Sequence, residues 1–151
     1  MRQARAGDVP ALVDMMDEFY AEAGFVLDRR EARQSFAAVI GDERLGHVWL
    51  VEAEGRVVGY LVETLVFAME HGGTMAVVDD FFVRPGWRGR GLGTAALADV
   101  RRDCLAGGVR AMRVEVGRDN QVAQAVYRSA GFAGVDHLLM TTALAATPPG
   151  E

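Results

Sequence analysis

Apolar residues in the first third of the chain recur at intervals of three and four. Leu12, Met15, Met16 and Phe19 share one helical face. Asp8 stands where a cap belongs, and Pro10 is tolerated in a first turn. A short strand around Arg2 to Ala4 precedes this helix. A second helix opens at Asp28, where Glu31, three residues on, completes a weak capping box. Phe36, Val39 and Ile40 are its apolar positions, and Gly41 ends it.

The period then changes. Val48 to Ala53 reads as a strand, Glu54-Gly55 as a turn, and Val57 to Phe67 as a second strand. His71-Gly72-Gly73 marks another reversal. Met75 to Val83 comes next, dense in valine and phenylalanine as a buried strand should be. These three strands predict an antiparallel meander. After Pro85 and a glycine-rich turn, Leu92, Ala96, Val100 and Cys104 place one apolar face on a helix over Leu92 to Leu105. Ala111 to Val116 predicts a strand, Gln121 to Ser129 a helix, and His137 to Ala143 a last strand. The order β-α-α-β-β-β-α-β-α-β describes an α/β fold: a mixed, largely antiparallel central sheet with helices on both faces. Nothing divides residues 1–145, which read as one domain; the tail 146–151 reads as frayed.

The sharpest chemical feature is Arg88-Gly89-Arg90-Gly91-Leu92-Gly93-Thr94, between a buried strand and a helix. Glycines allow positive φ and close backbone approach. A helix start offers unpaired N–H groups and the positive end of the dipole. Together these bind phosphate. The loop lacks the Gly-Lys-Ser/Thr of a Walker A sequence. It also fails the dinucleotide pattern, because the sixth place counted from Gly89 is Thr94.

Arg88, Gly91 and Gly93 do fit Arg/Gln-x-x-Gly-x-Gly/Ala. Upstream, Val78-Asp79-Asp80-Phe81-Phe82-Val83-Arg84-Pro85 precedes the loop. Downstream, Asn120, Ala123, Tyr127, Gly131 and Phe132 fit Asn-x-x-Ala-x-x-x-Tyr-x-x-x-Gly-Phe. In these three stretches, over nearly its whole length, the chain resembles the GNAT superfamily of N-acetyltransferases. The resemblance implies acetyl-CoA as acetyl donor and no metal. It implies a loop that cradles the coenzyme pyrophosphate, and a pantetheine arm lying like an added strand beside a splayed fourth strand. Phe81, Phe82 and Val83 then flank the arm, with an oxyanion-binding N–H near Phe82 or Val83. Asn120 matches a residue contacting the coenzyme arm, and Tyr127 matches the general acid. Asp79-Asp80-Phe81-Phe82-Val83 is also similar to the Glu-Asp-Phe-Phe-Val of spermidine/spermine N-acetyltransferases. There Asp79 matches the glutamate proposed as a base acting through water.

Residue chemistry fits these implied roles. An amine must lose a proton before attack, and the departing thiolate benefits from gaining one. Asn120 and Tyr127 lie seven positions apart, about two helical turns, so they share a face. Two adjacent carboxylates in an apolar strand are costly unless used or paired. Neighbours on a strand face opposite sides, so one of Asp79 and Asp80 faces the acceptor. Tyr127 as a packed aromatic, and the aspartates as structural carboxylates, stay open as alternatives.

Composition narrows the picture. Sixteen basic against 21 acidic side chains give a net charge of −5, which disfavours nucleic acid and is compatible with a cationic small-molecule amine, though mild acidity for solubility alone explains it too. Glu18 and Glu22, one turn apart, could attract such an acceptor, though a solvated helix face explains them too. One cysteine, Cys104, excludes an internal disulfide and suits the cytoplasm, as a core thiol. His47, His71 and His137 are scattered, with no metal-ligand spacing; His71 reads as a surface residue, and a role for it at the acceptor mouth stays open. Trp87 either covers the coenzyme or packs. The start is no signal peptide, and no stretch reaches the ~20 apolar residues of a membrane span. A peptide or protein amine as acceptor, a non-catalytic coenzyme-binding module, and a homodimer of the kind many GNAT domains form all remain open.

Overall fold

The computed structural model describes residues 1–144. Strand β1 (Arg2–Gln3) leads into helices α1 (Val9–Glu22) and α2 (Arg29–Gly41). The meander β2 (Gly46–Ala53), β3 (Arg56–Ala68) and β4 (Gly73–Val83) comes next. Helix α3 (Leu92–Ala106), strand β5 (Ala111–Val114) and helix α4 (Gln121–Ser129) complete the regular elements. The sheet order is β1-β2-β3-β4-β5, antiparallel throughout except that β5 runs parallel to β4.

Strand alternation divides the core in two. On one face Val48, Leu50, Tyr60, Val62 and Phe82 pack under α1 and α2, against Leu12, Val13, Met15 and Phe36. On the other, Trp49, Leu61, Ala76 and Val78 meet Leu97, Val100 and Cys104 of α3, with Val126 and Tyr127 of α4 at the margin. Helices therefore cover both faces, as the patterning predicts.

Several local expectations change. Asp28 does cap α2, accepting from the N–H groups of Arg30 and Glu31 at 2.9 and 3.1 Å. Asp8 does not cap α1 with its side chain. Its carboxylate accepts two bonds from the Arg2 guanidinium and one from the Arg5 N–H, which hold it well below the usual carboxylate range, near about 2. The expected strand His137–Ala143 is absent: residues 133–144 form no regular element, and Leu138, Leu139 and Met140 are exposed. Strand preference is satisfied only when a partner edge accepts the ladder, and β5 offers four paired residues rather than the expected six. The tail 146–151 lies outside the described residues.

One polar cluster sits inside the α3-side core. Glu63 is 1 % exposed. Its carboxylate meets His47 Nδ1 at 2.7 Å and accepts from the Cys104 thiol at 3.2 Å. His47 is thus tied into the core polar cluster. Burial and the Glu63 charge push the thiol up to about 12, so it stays protonated. Donor atoms of His47, Glu63 and Asp103 lie within 4.8 Å of one another, a proximity that sequence spacing does not reveal.

Candidate active site

The phosphate loop forms as its glycines require. Gly89 and Gly91 take φ of +74° and +77°, a region costly for most L-residues. Gly91 occupies the cap of α3, which has no side-chain cap. The first intrahelical bond runs from Ala95 N–H to Gly91 O, so the N–H groups of Leu92, Gly93 and Thr94 have no helical acceptor. Gly93 is not demanded by packing: a Cβ there would lie 3.6 Å from both Phe81 Cζ and Val126 Cγ1, ordinary van der Waals contact where α3, β4 and α4 meet. The loop surface is exposed, and free donors, dipole and access suit an anionic diphosphate. Gly91→Asp is expected to fold, because aspartate tolerates left-handed backbone, and to abolish acetyl-CoA binding by like charge. Titration calorimetry on the folded variant checks this; unchanged affinity would move the phosphate site elsewhere.

The two arginines of the loop are already engaged. Arg88 Nε donates to Val83 O at 2.6 Å, and its terminal nitrogen reaches both Glu22 oxygens at 2.9 and 3.0 Å. Arg90 stacks over the Trp87 ring at 4.8 Å and lies 3.7 Å from Glu54. Trp87 itself packs beside Leu92, near Val51, Val58 and Ala96. Glu18 is equally committed, holding Arg84 through three bonds of 2.8 to 3.2 Å. Glu18 and Glu22 therefore clamp α1 to the end of β4 and the loop. Both lie on an exposed helix face, as expected, but each is paired with an arginine and so is not a free attractor for an acceptor.

Strand β4 changes partners near its middle. Its pairing with β5 runs from Met75 to Val78 and stops at Val114. Beyond that point one edge of β4 is unpaired among the described residues. On the other edge, Val62 faces Asp80 while Glu63 faces Val78. Asp79 has no opposite residue and is a β-bulge, which turns the side chains beyond it to new faces. Asp80 and Phe82 consequently face the α1–α2 side, and Phe81 the α3 side. Arg84 N–H donates to Val58 O on β3. Ladder alternation then directs the Phe82 N–H to β3 and the Phe81 and Val83 N–H groups to the open edge. Of the two expected oxyanion donors, only Val83 has its N–H on that edge.

The aspartates part company. Asp79 is exposed; Asp80 is half-buried and accepts from the Tyr60 hydroxyl at 2.9 Å. Burial is the main force on Asp80 and the Asp79 charge adds to it, while the Tyr60 bond opposes them. The net effect raises its pKa to about 6. Among the described residues no basic side chain comes within salt-bridge distance of either carboxylate. Aromatic rings flank Asp80: Tyr60 and Phe82 at 6.2 Å between centroids, Phe19 and Phe82 at 5.5 Å, Phe36 and Tyr60 at 5.6 Å. Sequence reading missed Tyr60 and Tyr20. Tyr60 lies in an apolar run and Tyr20 on a mixed helix segment, and only strand register or helix packing shows what each hydroxyl meets.

On α4, Asn120 is the cap, its side chain accepting from Ala123 N–H at 3.1 Å. The expected coenzyme contact is thus, in this structure, a helix cap first. Tyr127 packs edge-on to Phe132 at 5.6 Å, and burial raises its hydroxyl to about 12. It is fully protonated at neutral pH, and no hydrogen bond commits it among the described residues. The Phe67–Thr74 hairpin, which carries His71, lies at the far end of β4. Seven residues at about 3.3 Å each separate Gly73 from Asp80. His71 shares that remote turn, 3.8 Å from Glu70. No described helix is long and apolar enough to cross a membrane.

Solved structures share this fold. An integron cassette protein, HFX_CASS3, from the mobile metagenome of Cole Harbour Salt Marsh is 47% identical. The match covers 97% of this chain and 91% of that one, with a TM-score of 0.88. A predicted acetyltransferase from Clostridium acetobutylicum, solved with acetyl-CoA, shares the fold at 16% identity, with 93% and 94% coverage and a TM-score of 0.79. Aminoglycoside N-acetyltransferase AAC(6')-Iy, solved with CoA, shares it at 15% identity, with 95% and 93% coverage and a TM-score of 0.80. No curated protein matches the chain in sequence. The sequence profile of the acetyltransferase (GNAT) family matches residues 10–132. The chain belongs to that family: it is an N-acetyltransferase with acetyl-CoA as its acetyl donor.

Proposed function

We propose that the acceptor is the primary amine of a cationic small molecule, acetylated by direct attack within a ternary complex. The observation that carries this reading is Asp80. It is a half-buried carboxylate with no basic partner among the described residues, set among aromatic rings where β4 parts from β5. A buried carboxylate lacking a counter-charge favours a cation, and aromatic faces add attraction for an ammonium group. That AAC(6')-Iy acts on aminoglycosides, which are polycationic amines, supports the same class.

The steps derive from the groups present. Asp80 takes a proton from the ammonium. The neutral nitrogen attacks the thioester carbon, and the carbonyl oxygen gathers charge beside the Val83 N–H. The carbon–sulfur bond breaks, and the Tyr127 hydroxyl donates to the departing thiolate. At about 12, Tyr127 is a weak acid against a thiol near ~8.5. Its contribution is a hydrogen bond that strengthens as sulfur gains charge. At bond cleavage its proton passes to sulfur, while Tyr127 regains, through solvent, the second proton that nitrogen sheds on becoming an amide. Asp80 then releases its own proton to solvent, so each turnover yields amide, thiol and one proton. Phosphate anchoring falls to the N–H groups of Leu92, Gly93 and Thr94, and Arg88 must exchange Glu22 for phosphate to take part.

A turnover screen with thiol detection tests the acceptor class. Polyamines and aminoglycosides are expected to react faster than neutral amines, amino acids or peptides. Reaction with neutral or anionic acceptors alone would overturn the electrostatic reading, and reaction with peptides alone would replace it with a protein-amine acceptor. Tight acetyl-CoA binding with no acceptor at all would leave a non-catalytic module.

A further inference from the structure

We propose that Tyr60 is a positioning residue for Asp80, its hydroxyl holding the carboxylate in the orientation from which it takes the acceptor's proton. This rests on the reading of Asp80 as base. Tyr60 is fully buried on β3, pairs directly with Phe82 on β4, and is wedged between Phe36 and Phe82. Its ring has no room to swing, so its hydroxyl is a fixed donor. The carboxylate reaches that donor only because the Asp79 bulge brings Asp80 onto Tyr60's face. In a regular ladder Asp80 would face α3. Bulge and tyrosine act together: one turns the carboxylate, the other holds one of its oxygens at 2.9 Å and leaves the second for the acceptor.

The groups around Asp80 leave Tyr60 as its stabilising partner. From β4 comes Asp79 and from α1 comes Tyr20, whose own ionisation Asp80, Asp79 and Glu31 of α2 all oppose. Asp79 and Glu31 carry the same sign as Asp80, and Tyr20 stays neutral at physiological pH. Of these, Tyr60 alone favours the ionised carboxylate, against the effects of burial and Asp79. The hydroxyl thereby keeps a buried carboxylate usable near neutral pH, and does so without a cation that would compete with the ammonium acceptor.

The test is the pH profile of kcat/KM for Tyr60→Phe beside Asp80→Asn, using the best amine of the screen. Losing a hydrogen bond to a charged group is expected to move the acid limb upward by about one to two pH units. Rates at high pH should recover towards the parent plateau. The pH at which thermal stability changes with Asp80 ionisation should rise in parallel, a readout that needs no turnover. A uniform loss of rate with an unmoved limb, while Asp80→Asn is inactive, would overturn the positioning role alone. A parent-like rate for Asp80→Asn would overturn the base reading and the role of Tyr60 with it.

Discussion

Asp80→Asn is expected to lower turnover by ~10²–10⁴-fold, the usual worth of a general base, and at neutral pH to make the folded protein more stable. The two effects share a cause. Burial and the neighbouring Asp79 charge raise Asp80 from 3.8 to about 6 in the folded state. A carboxyl raised in this way contributes its stability below the unfolded value. That stability is lost as pH rises through the folded value. At pH 7 the loss amounts to about 3 kcal/mol at most. Asparagine has the same size, can still accept from Tyr60, and carries no charge to desolvate. Thermal melts of parent and variant should therefore nearly coincide near pH 4 and separate between about pH 4 and pH 7, the variant being the more stable. The parent's kcat/KM should fall below about pH 6 as the base protonates. Melts that separate instead towards low pH would mean that Asp80 is stabilised as the anion, and that the protein holds a counter-charge for it.

Tyr127→Phe is expected to reduce turnover at saturating acetyl-CoA by ~10²–10⁴-fold with coenzyme affinity largely retained. Packing should survive, because the ring against Phe132 is kept and the hydroxyl makes no hydrogen bond to lose among the described residues. The elevated value near 12 adds a requirement. A group so weakly acidic shows no basic limb at accessible pH, so the parent profile should stay flat from about pH 8 to pH 10. Stopped-flow measurement of the chemical step, with binding measured separately, distinguishes the cases. A variant that runs the chemical step at the parent rate would make Tyr127 a structural aromatic, with water protonating the thiolate.

Both effects concern groups whose identity is readable in the chain but whose environment is not. Asp79 and Asp80 are visible as paired carboxylates in an apolar strand, yet alternation alone cannot say which faces the acceptor. The bulge that decides it arises from pairing with β3, a partner more than fifteen residues away in sequence. Glu18 and Glu22 illustrate the same limit. Their spacing on α1 is local, but their partners Arg84 and Arg88 are 66 residues distant, so a pair of free carboxylates becomes a clamp. Glu63, His47 and Cys104 meet from β3, β2 and α3, and no spacing rule links them. The strand expected at His137–Ala143 fails for a related reason: local preference cannot supply an edge to pair with.

Short-range physics controls the features that the sequence determined by itself. Helical periodicity, the Asp28 cap, the meander and the glycine pattern of the phosphate loop each depend on residues within a few positions of one another, and each appears with little change in boundary. Gly91 must take a left-handed conformation wherever the loop is placed, so its role is legible in advance. Only the tertiary structure decided the electrostatic state of the site. Whether Asp80 is a usable base depends on burial under α1 and α2, on the register that sets it opposite Val62, and on the Tyr60 hydroxyl from the next strand. Desolvation and hydrogen bonding act through space over a few ångströms, between residues that the chain brings together only by folding.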